Sequence, residues 1–236
     1  MTKNKPGRGK GGYARAMKRR HISHPRKKLS HVQHTTAQHP IAIVIPTLDR
    51  IKGEAVGESA LAQAGCSVPV RVILVHDQQK QGFTKSVNEG IRRAVPDEDI
   101  CLLNDDVGGF QPGWLETLRM VLYSNPSYGL SCPSGASAGA PMKGGQPGQK
   151  GVQVVKQASF WCVLMKRAML DKVGLLDESF IHYCSDNWHC ILMKRKGWKC
   201  VWARAVYLEH SRRGSGMQSE WRRHDRAIWL KRTGRK

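Results

Sequence analysis

The chain has 236 residues, enough for one domain with a sizeable core, and carries 39 Lys plus Arg against 18 Asp plus Glu for a net charge of +21. A small disulfide-stapled scaffold is excluded, and so is a bilayer-spanning helix, because no apolar run approaches the roughly 18–20 residues such a span needs. Seven scattered cysteines, mostly inside apolar strings such as ICLL and FWCVLM, read as reduced core thiols, and no secretory h-region precedes them. Five histidines in the first forty residues fit a transit peptide poorly. The expected compartment is the cytoplasm.

The charge is unevenly placed. Residues 1–40 hold eleven Lys or Arg and no acid, and residues 212–236 hold nine against Glu220 and Asp225, which leaves +3 for the body between them. Residues 1–40 lack apolar periodicity and are expected to be a disordered basic arm. Such an arm binds nucleic acid through phosphate neutralisation; a solubility tail or a peripheral contact with anionic lipid is the alternative. From Gln218 to Leu230, Trp221, Ile228, Trp229 and Leu230 lie among arginines, the pattern of a helix with one docked face, so 214–236 is assigned as a basic C-terminal helix.

The body, 41–213, opens with Ile41–Ile45, a β-branched run ended by Pro46, followed by the strand-like runs Val70–Val75 and Ile100–Leu103. Helical stretches at Gly53–Ala64 and Thr84–Ala94 separate them. This β-α-β-α-β alternation predicts an α/β fold, a mostly parallel sheet flanked by helices. Further on, Pro112–Ser124 predicts a helix, Gly129–Cys132 a strand, Ser159–Met165 a strand, and Asn187–Lys196 a helix; Trp198–Trp202 and Val206–Leu208 complete the set as strands. The Gly- and Pro-rich stretch from Pro133 to Gly151 is long for a connection and reads either as a lid or as a surface insertion.

In sheets of this kind ligands bind outside the carboxyl ends of the strands. The residues there are Thr47-Leu48-Asp49, His76-Asp77 and Asn104-Asp105-Asp106, so three strands deliver four carboxylates to one edge. Crowded carboxylates repel unless a cation joins them, and hard oxygen ligands suit Mg²⁺ or Mn²⁺ completed by a substrate phosphate. Capping of the following turns is the competing role for Asp77 and Asp105. A zinc site from His182, Cys184, His189, Cys190 and Cys200 is disfavoured because no CxxC pair exists.

These segments resemble, in order, the motifs of the family 2 inverting nucleotide-sugar glycosyltransferases of the GT-A fold. IAIVIPTLDR (41–50) resembles the family's opening strand and loop, Val72–Asp77 its second strand, and Gly82–Gly90 its Gly-rich, Asn-Xaa-Gly segment. Leu102–Val107 with Pro112–Leu115 resembles the DxD-type metal segment, and Val173–Phe180, Ser185-Asp186 and Ala205–Ser211 follow in the family's order. The resemblance implies a metal-dependent, inverting transfer of a sugar from a nucleotide-sugar, UDP first among carriers, to an acceptor hydroxyl.

Residue by residue, it implies Asp186 as the base, with N-capping as its competing role. Asp106 and His210 fall to the metal, and Pro46, Thr47, Asp77, Gly82, Lys85, Asn104 and Asp105 to the donor. Phe160, Trp161 and Ser185 fall on the acceptor side. Core packing competes for Phe160 and Trp161, and a surface position for Lys85 and His210. Asn104 stands where many relatives have Asp, and Ser185 where the usual acid of a Glu-Asp pair stands; both departures keep a non-catalytic, nucleic-acid-binding role open. The basic ends, absent from the family pattern, favour a polyanionic acceptor, a hydroxymethylated pyrimidine in DNA as in phage-type enzymes; a lipid-linked or cell-wall acceptor is the alternative.

Overall fold

The computed structural model describes residues 39–136, 142–146, 148–211 and 219–234. The N-terminal arm, apart from residues 39–40, and part of the Gly-rich loop therefore lie outside the described residues.

Buried apolar runs build the sheet. Strands β1 (Ile41–Thr47), β2 (Val70–His76) and β3 (Asp99–Leu103) are parallel, with β1 between the other two. Ile41–Ile45 and Ile100–Leu103 have no exposed surface, as expected for strands covered on both faces. The two-residue period of β1 sorts the helices. On one face, α1 (Arg50–Ala62) brings Gly53 and Gly57 against Thr47 and Ile45; on the other, α2 (Phe83–Arg93) brings Gly90 against Val44. The absent side chains allow this close approach, and any Cβ at Gly90 would overlap Val44.

Past β3 come the short β4 (Val107–Gly108), α3 (Trp114–Tyr123) and β5 (Tyr128–Ser134), then a 3-10 turn at Met142–Gly144. β6 (Val152–Val155), β7 (Cys162–Met165), α4 (Arg167–Val173), α5 (Ser185–Arg195), β8 (Lys199–Tyr207), β9 (Glu209–His210) and α6 (Ser219–Thr233) follow. The main sheet runs β2-β1-β3-β7-β5-β8-β6. Five of its strands point one way, while β7 and β6 are antiparallel to their neighbours. β4 and β9 form a separate ribbon.

Several boundaries differ from expectation for physical reasons. α1 starts at Arg50 because Asp49 is its N-cap, accepting from the Lys52 N–H at 3.2 Å. α3 starts after Gly113, which is left-handed at φ 74°, and so excludes Pro112. The two expected strands near the end are one strand, β8: the polar break at Arg204 is accommodated because its guanidinium lies 5.0 Å from the Trp202 ring. β6 was not expected; it is a four-residue edge strand whose Val152 and Val154 are exposed. All seven cysteines are free thiols, and among the described residues no helix is long and apolar enough to cross a membrane.

Two buried polar side chains hold the loops beneath the site. Asn88 donates to the Leu176 carbonyl at 2.8 Å and accepts from the Leu176 N–H at 3.0 Å, fixing the segment before α5. Asp225 on α6 has no exposed surface and accepts from the backbone N–H groups of Ile181, His182 and Tyr183 at 2.7–2.8 Å. Burial pushes the Asp225 pKa up, but these three bonds and His224 outweigh it and hold the carboxyl below its ordinary value. A depressed folded pKa gives stability that is present above the unfolded carboxylate value, about 3.9, and lost as pH falls through the folded value. Asp225→Asn is expected to cost about 2 kcal/mol at pH 7, measured by urea unfolding, with the difference from the parent shrinking toward acid pH.

Candidate active site

A cavity of about 670 Å³ opens at the carboxyl edge of β1, β2 and β3. Each strand contributes residues at or just beyond its carboxyl end: Pro46, Thr47 and Leu48 from β1, Asp77 from β2, and Asn104, Asp105 and Asp106 from β3. Gly82, Phe83 and Ser86 come from the start of α2; the rest of the wall is His182, Tyr183, His210 and Trp221.

The carboxylates have different partners. Asp77 is buried and accepts from the N–H groups of Gln81 and Gly82, both at 2.9 Å, so it caps the turn into α2 while lining the cavity. Gly82 needs its φ of 100° there, and a Cβ would sit 2.6 Å from the Ile181 carbonyl oxygen. Asp105 accepts from the Thr47 hydroxyl at 2.6 Å and pairs with Lys52 Nζ at 3.2 Å. Asp106 Oδ1 faces His210 Nε2 at 3.0 Å. The β4–β9 ribbon makes that last pair, since Val107 is in register with His210 and Ser211 N–H bonds the Asp106 carbonyl. Trp161 stacks on His210 at 5.1 Å and 11°, holding the imidazole plane.

Burial raises the Asp106 pKa, but the hydrogen bond and charge of His210, with Lys52 behind them, hold it below the ordinary carboxylate range. The group is thus ionised at neutral pH. Asn104 adds a buried amide oxygen that accepts no hydrogen bond. One carboxylate, one imidazole and a nearby amide oxygen fit a divalent ion that fills its remaining positions with water and substrate phosphate. Among the described residues no group of three or more His, Cys, Asp or Glu side chains converges, either at this cavity or at the zinc set considered above.

The other expected site residues lie further back. Lys85 is exposed on α2 and does not line the cavity. Phe160 and Trp161 are in the core, Phe160 edge-on to His189 at 5.8 Å. Ser185 is buried, its hydroxyl without a partner. Asp186 sits in the first turn of α5, just past the cavity-lining His182 and Tyr183 but not itself on the wall. Crowding by protein pushes its pKa up, against the pull of the Asn187 and Phe160 N–H groups.

Sequence reasoning did not place Lys52, His182, Tyr183 or Trp221 at this cavity, having weighed His182 only for zinc and Trp221 only for the docked face of the C-terminal helix. The first is hidden in a helix with no apolar stripe. The last three form an aromatic wall with Phe83: His182 lies 5.7 Å from Phe83, 4.7 Å from Tyr183 and 6.0 Å from Trp221. Burial pushes the His182 pKa down, which keeps the imidazole neutral in this setting.

Neither a protein-family model nor a curated protein matches the sequence. Solved structures do match in fold. A mycobacterial protein superposes with a TM-score of 0.54 at 15% identity, over 84% of this chain and 76% of that one. Glucosyl-3-phosphoglycerate synthase from Mycobacterium tuberculosis, solved with Mn²⁺, UDP-glucose and phosphoglyceric acid, gives 0.53 at 14% identity, over 84% and 81%. GalNAc-T7, solved with UDP, GalNAc and Mn²⁺, gives 0.53 at 10% identity, over 74% of this chain but 44% of its own. The fold is of the GT-A type. The present chain spans less than half the length of GalNAc-T7.

Because the folded state raises the Asp186 pKa, it favours the protonated carboxyl, and the ionised group costs stability at neutral pH. Asp186→Asn is therefore expected to raise the melting temperature at pH 7. The gain disappears below about pH 3.9, where the unfolded carboxyl is protonated too. A fall in melting temperature at pH 7 would contradict the raised value.

Proposed function

We propose that the protein is a metal-dependent, inverting glycosyltransferase that moves a sugar from a nucleotide-sugar to an acceptor hydroxyl. The observation that carries this reading is the convergence of Thr47, Asp77, Asp105, Asp106 and His210 on one cavity at the carboxyl edge of a GT-A-type sheet. UDP is the first carrier to test, since two of the solved structures of this fold were determined with UDP or UDP-glucose.

In this reading Asp106 and His210 would hold the divalent ion, with Asn104 beside them. When bound, the ion neutralises the leaving diphosphate. Thr47, Asp77 and Gly82 border the nucleoside, and Asp105, held by Thr47 and Lys52, borders the ribose. Asp186 accepts the acceptor hydroxyl's proton as that oxygen bonds the anomeric carbon, while the bond from that carbon to the phosphate oxygen breaks and its electron pair leaves with the nucleoside diphosphate. Its raised pKa makes it a stronger base than an ordinary carboxylate.

The acceptor we favour is a hydroxymethylated pyrimidine in DNA, reached in a flipped or single-stranded state. The support is charge: +11 in residues 1–40 and +7 in residues 212–236 on a body of +3. The test is incubation with UDP- and GDP-sugars, Mn²⁺ and single-stranded oligonucleotides containing hydroxymethylcytosine, with nucleoside diphosphate release and oligonucleotide mass as readouts. Sugar addition that falls about 10²–10⁴-fold in Asp186→Asn is expected. Diphosphate release without addition to the oligonucleotide would remove the DNA acceptor, and no release from any donor with any acceptor would remove the enzyme.

A further inference from the structure

A second cavity, of about 410 Å³, lies against the first and shares Tyr183 with it. Its remaining lining is Cys184 from the cap of α5 and Arg222, Arg226, Trp229 and Leu230 from α6. On a helix, positions 222, 226 and 229 fall on one stripe, so α6 presents two guanidinium groups and an indole to the same space. The Arg222 guanidinium stands 5.2 Å from the Tyr183 ring, and among the described residues no acidic side chain lines the cavity.

Aromatic faces beside guanidinium groups are the means by which proteins hold single-stranded nucleic acid, with rings stacking on bases and charges tracking phosphates. Anionic lipid would call for an exposed apolar face as well, and on α6 Trp221, Ile228, Trp229 and Leu230 are only half-exposed, the large hydrophobic residues most open to solvent lying on other elements among the described residues. The floor is also rigid. Asp225, between the two arginines, binds the backbone of residues 181–183 and so fixes Tyr183 against α6.

We propose that this cavity is a nucleotide subsite, in which Tyr183 and Trp229 stack a base of single-stranded nucleic acid and Arg222 and Arg226 take the adjoining phosphates, one unit away from the unit in the main cavity. The inference deepens the transferase reading, which supplies the main cavity's role; the binding itself is measured without donor or metal.

The test uses the full chain and an oligodeoxynucleotide carrying 5-iodouracil, irradiated and mapped by peptide mass spectrometry, with binding followed by fluorescence anisotropy across salt. Three proteins are compared: the parent, Arg222→Gln with Arg226→Gln, and Arg223→Gln with Lys231→Gln. The last pair removes the same charge from exposed positions of α6 outside the cavity. Crosslinks are expected at Tyr183 or Trp229 in the parent and in the Arg223/Lys231 variant, and lost in the Arg222/Arg226 variant. The slope of log affinity against log salt should fall by about 1.4 in the Arg222/Arg226 variant, the value for two phosphate contacts on a single strand.

Crosslinks confined to residues 1–38, or equal losses in the two variants, would overturn the subsite and reduce the effect to net charge. Vesicles of anionic lipid that compete the oligonucleotide from the parent but not from the Arg222/Arg226 variant would also overturn it, by assigning the cavity to headgroups. Donor release by the Arg222/Arg226 variant is read separately: its persistence alongside lost crosslinks supports the subsite, and an absence of donor release in every protein removes the transferase reading while leaving the crosslink result to stand or fall alone.

Discussion

Carboxylates gathered at the end of a hydrophobic sheet must each find a counter-charge or a set of donors, and the site is organised by how these do so. The parallel strands β1, β2 and β3 bring Thr47, Asp77, Asp105 and Asp106 to one edge, since their apolar runs leave the polar side chains to the strand ends. Asp77 is satisfied locally by the turn into α2. Asp105 needs Thr47 and Lys52, from the first strand and the first helix. Asp106 needs His210, more than one hundred residues on, and the two-stranded ribbon β4–β9 exists at the place where that meeting occurs. The result is a paired Asp106 and His210 at one cavity, with the buried Asn104 amide beside them.

The opposite wall depends on a single buried acid. Asp225 lies in a stretch that is otherwise strongly basic, and it ties α6 to residues 181–183 through three backbone bonds. Those residues are in turn held from the other side, where the Thr84 N–H bonds the Ile181 carbonyl and Gly82 leaves room for Ile181. His182, Tyr183 and Trp221 are therefore positioned by the C-terminal helix, and the aromatic wall of the main cavity and the arginine-lined second cavity are two sides of one docked element.

The parallel half of the sheet was legible because strands covered on both faces read as uninterrupted apolar runs, and the residues after them marked the edge of the site. Strand β8 was not legible as one element, since Arg204 interrupts its apolar run and its accommodation over Trp202 is a tertiary fact. Nor was β6, too short to show a period. Asp49 read as a site carboxylate, whereas local capping claims it. Asp225 carried no sequence signal: its partners lie more than forty residues away and are backbone groups, which have no identity in a sequence. Phe160 and Trp161 were visible as large aromatics, but only packing distinguishes a ring that touches substrate from one that braces His210 or His189.

The central claim is that Asp106 and His210 make nucleotide binding depend on a divalent ion. Calorimetric titration of UDP and GDP into the protein, with and without Mn²⁺, and into Asp106→Ala and His210→Ala variants tests it most directly. The account predicts binding of one nucleotide with Mn²⁺ present, at least about tenfold weaker without it, a difference of about 1.4 kcal/mol, and the same loss in either variant with the metal present. Equal affinity with and without Mn²⁺, or full metal-dependent binding in both variants, would contradict it.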